Sequence, residues 1–159
     1  MSDLLAARWL FGLSLVFHIV FAAVGVAMPL LMVIAEWRWR RTGSAVHLEL
    51  ARRWAKGAAI LFAVGAVSGT VISFELGLLW PRFMDRFGDA FGVAFAIEGI
   101  FFFLEAIFIA IYIYGWDRLA PRAHMWAAVP IVISGVGGAF SVIAANSWMN
   151  QPQGFTLAS

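Results

Sequence analysis

From Trp9 to Ala35 the chain carries no Asp, Glu, Lys or Arg, and an apolar run of that length is enough to cross a bilayer once as a helix. Three more apolar runs follow, so the sequence predicts helices over about 9–36, 57–79, 91–116 and 125–147. Hydrocarbon offers no water to an unpaired amide, and helices are the simplest segments that pair all of theirs internally. Residues 1–159 therefore read as a single all-α membrane module of four transmembrane helices, with no soluble domain. The bulk composition agrees: 63% of residues are hydrophobic and 13% charged, against roughly a quarter charged in soluble domains. Pro29 and Pro130 fall inside apolar runs, where membrane helices accommodate them as kinks. The basic stretch before the first run is minimal and no small-residue cleavage site follows it, so it is not read as a cleaved signal peptide. There are no cysteines, which removes thiolate metal sites and disulfides.

Charge between the runs sets an expected orientation. The first connection holds Arg38, Arg40, Arg41, Arg52, Arg53 and Lys56 against Glu36 and Glu49, and the third holds Arg118 and Arg122 against Asp117. The second balances Arg82 and Arg86 with Asp85 and Asp89. Eight of the eleven basic residues thus lie in connections one and three. The positive-inside rule places those in the cytoplasm and both termini on the periplasmic side. The net charge of +2 is explained by topology, and no nucleic-acid partner is implied. All eight tryptophans (Trp9, Trp37, Trp39, Trp54, Trp80, Trp116, Trp126, Trp148) fall near run ends, as interfacial anchors do, with helix packing the expectation for two or three of them.

Against this apolar background His18, Glu98 and Glu105 stand out, because an ionisable group at membrane depth is costly and defaults to a functional candidate. Counting in from the outer helix ends at about 1.5 Å per residue, His18 lies roughly 14 Å deep and Glu98 roughly 10 Å deep. Glu105 follows Glu98 by seven residues, two turns further toward the cytoplasm and on the same helix face. A buried histidine is either a hydrogen-bonded imidazole or a metal or heme ligand. Two carboxyls on one apolar face favour proton carriage or metal ligation over a hydrogen bond between helices. Glu75 has an interfacial position, and Lys56 reads as snorkelling to the cytoplasmic interface. His47 and His124 read as solvated beside the loops. Ser141 and Asn146 are possible polar contributors from helix 4. Gly65 and Gly69 form a GxxxG, and Gly135, Gly137 and Gly138 thin helix 4; close helix packing is the first explanation of both. These residues leave a redox cofactor site and a heme-free proton or ion path both open.

The phrases around these residues resemble subunit I of the cytochrome bd quinol oxidases. They are RWLFGLSLVFHIVF ending beyond His18, WAKGAAILFAVGAVSGTVISFELGLLWPRF, FAIEGIFFFLEAIFIAIYIYGWDRL with its Gly115-Trp116-Asp117-Arg118 exit, and AANSWMNQPQGF from Ala144 to Phe155. The likeness runs in order along nearly the whole chain. The seven-residue glutamate interval and SFELGLLWPRF look most like the cyanide-insensitive branch. The resemblance implies a terminal oxidase of the bacterial inner membrane that oxidises quinol and reduces dioxygen to water with a low-spin heme b, a high-spin heme b and heme d, or a second high-spin heme b in place of heme d. It implies that His18 is an axial ligand of a high-spin heme (heme b or heme d) and that Glu98 lies beside or ligates heme d, on the face turned toward helix 1. Glu105 is implied on the proton route from the cytoplasm. Further helices of the same subunit, subunit II, quinol, dioxygen and surrounding lipid are the implied partners. The ligands of the low-spin heme and the quinol-binding loop of the family fall outside the matching region. The chain is therefore expected to be an N-terminal portion of subunit I, inactive by itself, with a natural split subunit as the alternative. A heme-free proton-conducting subunit and a vestigial assembly subunit are the competing functions.

Overall fold

The computed structural model of the chain describes residues 2–154; Phe155 of the last family-like phrase and the uncharged TLAS end lie outside them. Four helices fill the described chain: α1 (Asp3–Thr42), α2 (Ala45–Leu79), α3 (Pro81–Tyr114) and α4 (Pro121–Asn150). There is no strand among the described residues. Each helix is long and apolar enough to cross a membrane.

The helices are longer than their apolar runs, and much of what reads as connection is helical. Charge marks where a helix leaves lipid, whereas local backbone chemistry marks where it ends. At the start of α1 the Ser2 side chain accepts from the Leu5 amide at 3.4 Å, with Asp3 in the first turn. At its end Gly43 takes φ 67°, the left-handed conformation that glycine adopts without a Cβ penalty, and returns its amide to the Trp39 carbonyl. Arg40 and Arg41 sit in that last turn, opposite in sign to the helix C-terminus. Only Gly43 and Ser44 separate α1 from α2. The expected second connection, 80–90, is the opening of α3, which starts on Pro81 directly after Trp80. Proline suits a first helical position because the amide it lacks has no partner there.

The helices pack in a ring, α1 against α2 and α4, and α3 against α4 and α2. This is the neighbour order of an up-and-down bundle with short connections. One end of the bundle is closed. Met32 of α1, Ala55 and Ala58 of α2, Ile109 and Tyr112 of α3, and Ala128 and Ile131 of α4 form one buried cluster. All of them lie toward the arginine-rich end, where the α1–α2 and α3–α4 turns are. Toward the other end burial is sparser. Phe91 stacks on Phe83 at 5.4 Å and meets Trp148 at 6.1 Å, while large apolar side chains such as Val67, Phe74, Phe103 and Phe140 are exposed. In lipid such exposure costs little, since hydrocarbon is as apolar as the side chain.

Candidate functional site

His18 lies on the α1–α2 seam. Its Nδ1 is 2.9 Å from the hydroxyl oxygen of Ser68, which is buried on α2. That hydroxyl in turn donates to the Val64 carbonyl at 2.8 Å. The imidazole also rests against Gly69: a Cβ at that position would meet His18 Cε1 at 3.1 Å. Of the GxxxG pair, Gly69 clears the histidine ring, while a Cβ on Gly65 would meet open space. The sequence points to Gly69 only as half of a packing GxxxG and does not point to Ser68. Their signal is placement: Ser68 and Gly69 fall at the depth of His18 on the neighbouring antiparallel helix.

Glu98 and Glu105 lie on the α3–α4 seam, both half-buried. A Cβ on Gly138 would be 4.0 Å from Glu98 Cγ, and one on Gly135 would be 3.3 Å from Glu105 Oε1. The expectation that Glu98 faces helix 1 is thereby corrected. α1 and α3 are diagonal in the ring, without the close backbone approach of the four neighbouring pairs, and the seven-residue stripe of α3 instead faces the glycines of α4. Gly137, between them, takes the ring of Phe101, whose nearest atom would lie 2.6 Å from a Cβ there. The α4 glycines are therefore a packing surface, and two of them leave room for carboxyl groups. Neither glutamate has an ion pair or hydrogen bond among the described residues.

The remaining sequence candidates scatter. Glu75, half-buried, accepts from the Ser14 hydroxyl at 2.8 Å across the α1–α2 seam, and its buried Oε2 has no hydrogen-bond partner. Lys56 is exposed on α2. Ser141 is buried but donates to the Gly137 carbonyl of its own helix at 2.9 Å. Asn146 is exposed and accepts from Asn150. Asp117 and Arg118 are exposed in the α3–α4 turn. Trp116, half-buried, packs at a tilt against His124 at 4.2 Å and Trp39 at 6.2 Å.

His124 is a second correction, since it is buried and not solvated. Pro121 starts α4, so His124 falls in its first turn and points inward. Its Nε2 lies 2.9 Å from the Tyr112 carbonyl oxygen, and its Nδ1 lies 3.0 Å from Glu36 Oε1. Glu36 is fully buried and also accepts from Arg40 one turn along, at 2.8 Å from Nε and through a closer contact from the terminal nitrogen. A carbonyl only accepts, so His124 donates from Nε2 to Tyr112, while its Nδ1 meets the Glu36 carboxylate. The Tyr112 hydroxyl also lies toward Glu36, short of full hydrogen-bond geometry. Gly115 makes the cluster possible: a Cβ there would lie 3.3 Å from His124 Cδ2 and 2.8 Å from Leu119 Cδ1. The sequence reading counted Glu36 merely as a loop charge. A usable signal was present, because Tyr112 continues the Glu98–Glu105 interval by seven more residues. His47 is half-buried, with an Nδ1 that lacks a hydrogen-bond partner.

The chain is 36% identical over 157 residues to a Bacillus subtilis (strain 168) protein described as a cytochrome bd menaquinol oxidase subunit I, covering 99% of this chain and 35% of that one. It is 34% identical over 158 residues to the cytochrome bd ubiquinol oxidase subunit 1 of the same organism, covering 99% of this chain and 34% of the relative. The solved bd oxidase from Geobacillus thermodenitrificans superposes with a TM-score of 0.92 at 40% identity, over 98% of this chain and 36% of that one. The chain thus spans between 34% and 36% of the lengths of these proteins. The family model for cytochrome bd terminal oxidase subunit I matches residues 6–159, and with that coverage the chain belongs to this family.

Proposed function

We propose that this chain forms the first four transmembrane helices of a bd-type terminal oxidase of the bacterial inner membrane, with its arginine-rich end in the cytoplasm. In this reading it contributes part of the site where electrons from a membrane quinol reduce dioxygen to water. The observation that carries the proposal is His18: an imidazole at membrane depth, held through Nδ1 by Ser68, with no hydrogen bond from Nε2 among the described residues. That is the donor set a heme iron needs from one side, a neutral nitrogen whose other nitrogen is anchored. A bare metal ion would need several protein ligands, and no group of three or more suitable side chains occurs among the described residues. The porphyrin supplies the other ligands of a heme, so a single histidine suffices.

His18 would hold the iron, and Glu98, unpaired on the α3–α4 seam, would stand beside a heme or ligate it. When bound, heme supplies an iron that passes electrons to dioxygen. Glu105 holds a proton two turns closer to the arginine-rich end. Making water consumes protons, and the hydrocarbon region has no bulk water to deliver them. Glu105 takes protons arriving from the cytoplasmic side and passes them toward Glu98. The rise between the two carboxylates is about 10 Å, so bridging waters complete the path. The remaining helices of subunit I and a second subunit complete the heme and quinol sites.

The test is His18→Ala in the assembled oxidase, read by reduced-minus-oxidised absorption and by heme content per complex. Loss of one high-spin heme with the others retained is expected. An unchanged heme complement contradicts the ligand role, and a heme-free complex in the unsubstituted protein would leave only the proton-conducting reading.

A further inference from the structure

We propose that Ser68 is the positioning residue for His18: its hydroxyl fixes the imidazole in the Nδ1–H form and leaves the Nε2 lone pair for the iron. The inference rests on the reading of His18 as an axial ligand and extends it to the neighbouring helix. Three polar atoms surround Ser68 Oγ: the Val64 carbonyl at 2.8 Å, the Gly65 carbonyl at 3.2 Å and His18 Nδ1 at 2.9 Å. The hydroxyl has a single hydrogen, and the two carbonyls can only accept. The assignment that satisfies most groups sends the Ser68 hydrogen to its own helix and has Ser68 accept from His18 Nδ1–H. The Gly65 carbonyl also accepts from the His18 ring, which adds to the preference for a hydrogen on the nitrogen that faces α2; the opposite assignment moves that hydrogen to Nε2, away from both acceptors. An unpaired donor at this depth, with no bulk water to serve it, is the costlier state.

Space and hydrogen bonding act together here. The ring edge lies over Gly69, where a Cβ would come within 3.1 Å of Cε1 and within 3.8 Å of Nε2. Ser68 therefore sets which nitrogen carries the proton, and Gly69 sets how closely the ring can approach α2. An aliphatic hydroxyl is a weaker acceptor than a carboxylate. It leaves the ligand as a neutral imidazole, a weaker electron donor to iron than the imidazolate-like ring that a carboxylate partner produces. Ser68 is thus a tuning residue for the iron on α1, located in a different helix.

The experiment measures the iron–histidine stretching band by resonance Raman spectroscopy, with heme content per complex, in the assembled reduced oxidase. Ser68→Thr should retain both, because a threonine hydroxyl reaches the same i−4 carbonyl. Ser68→Val, of nearly the same shape without the hydroxyl, should shift the band to lower frequency and weaken retention of that heme by about 10- to 100-fold. Ser68→Ala should do the same, which keeps the test valid if the valine fits poorly. Unshifted bands and full heme content in both the Val and Ala variants overturn the inference. His18→Ala separates the two levels. If the band survives it, the ligand assignment fails and Ser68 falls with it; if the band is lost there yet unchanged in Ser68→Val and Ser68→Ala, only the role of Ser68 is wrong.

Discussion

Glu36 and Glu98 are both carboxylates on long apolar helices, but they have been treated differently. Glu36, near the arginine-rich end, is fully buried and takes hydrogen bonds from His124 of α4 and Arg40 of its own helix. Around it the rings of Tyr112, Trp116 and His124 pack at tilted and edge-on angles, with centroids 4.2–5.5 Å apart. Glu98, toward the other end, is half-buried and has no ionic or hydrogen-bonded partner among the described residues. A buried charge persists only with compensation. For Glu36 the chain supplies it, and the result is a junction of α1, α3 and α4. For Glu98 these four helices supply no such partner among the described residues, and the cofactor or proton role proposed above rests on that difference. His18 follows Glu98 in this respect, with one nitrogen anchored and the other unpartnered.

The comparison can be broken most forcefully at Glu36. Glu36→Ala leaves His124 and Arg40 facing an empty site, and breaking a buried pair costs about 3–5 kcal/mol. The assembled fraction should fall sharply, and the thermal midpoint of what survives in detergent should drop. If the variant assembles and melts like the parent, the junction is not structural. Glu98→Gln should do the reverse. Turnover falls about tenfold or more, the rough cost of losing a metal partner or proton donor, while the melting midpoint holds; near-normal turnover would remove the carboxylate from the chemistry.

Glu105 sharpens the same contrast with a smaller effect. In Glu105→Gln, proton uptake slows while the hemes stay, and Glu105→Asp recovers part of the rate, as stopped-flow uptake with heme quantification would show. Heme loss in the Gln variant would instead make Glu105 a ligand or a structural group. The smallest effect is expected at Arg53, whose pair with Glu49 at 2.6 Å is exposed on both sides. Arg53→Ala should change stability by no more than about 0.5 kcal/mol, and a larger loss in a denaturation experiment would show that the arginine-rich end is held by more than its buried junction.

What was legible in the sequence follows the same division. The four crossings were legible because lipid imposes one pattern on every residue it touches, as the charge-free run from Trp9 to Ala35 shows. Helix ends were not, because the apolar period stops at the membrane surface while the hydrogen-bonded backbone continues to Gly43. His18, Glu98 and Glu105 were conspicuous as polar residues in apolar surroundings. Glu36 and His124 were hidden for the opposite reason. They lie among arginines and turn residues, where charge is ordinary, and only three-dimensional packing buries them. The direction of Glu98 depended on the order of helices around the ring, which periodicity along α3 does not encode. Ser68 and Gly69 were visible as letters but acquired meaning only beside His18.

The most direct test of the account is heme stoichiometry in paired variants of the assembled oxidase, His18→Ala and Glu36→Gln. The account predicts that His18→Ala assembles with one high-spin heme missing. It predicts that Glu36→Gln, in whatever fraction assembles, carries the full complement. Full heme in His18→Ala together with heme loss in Glu36→Gln would reverse the assignment of the two regions and contradict it.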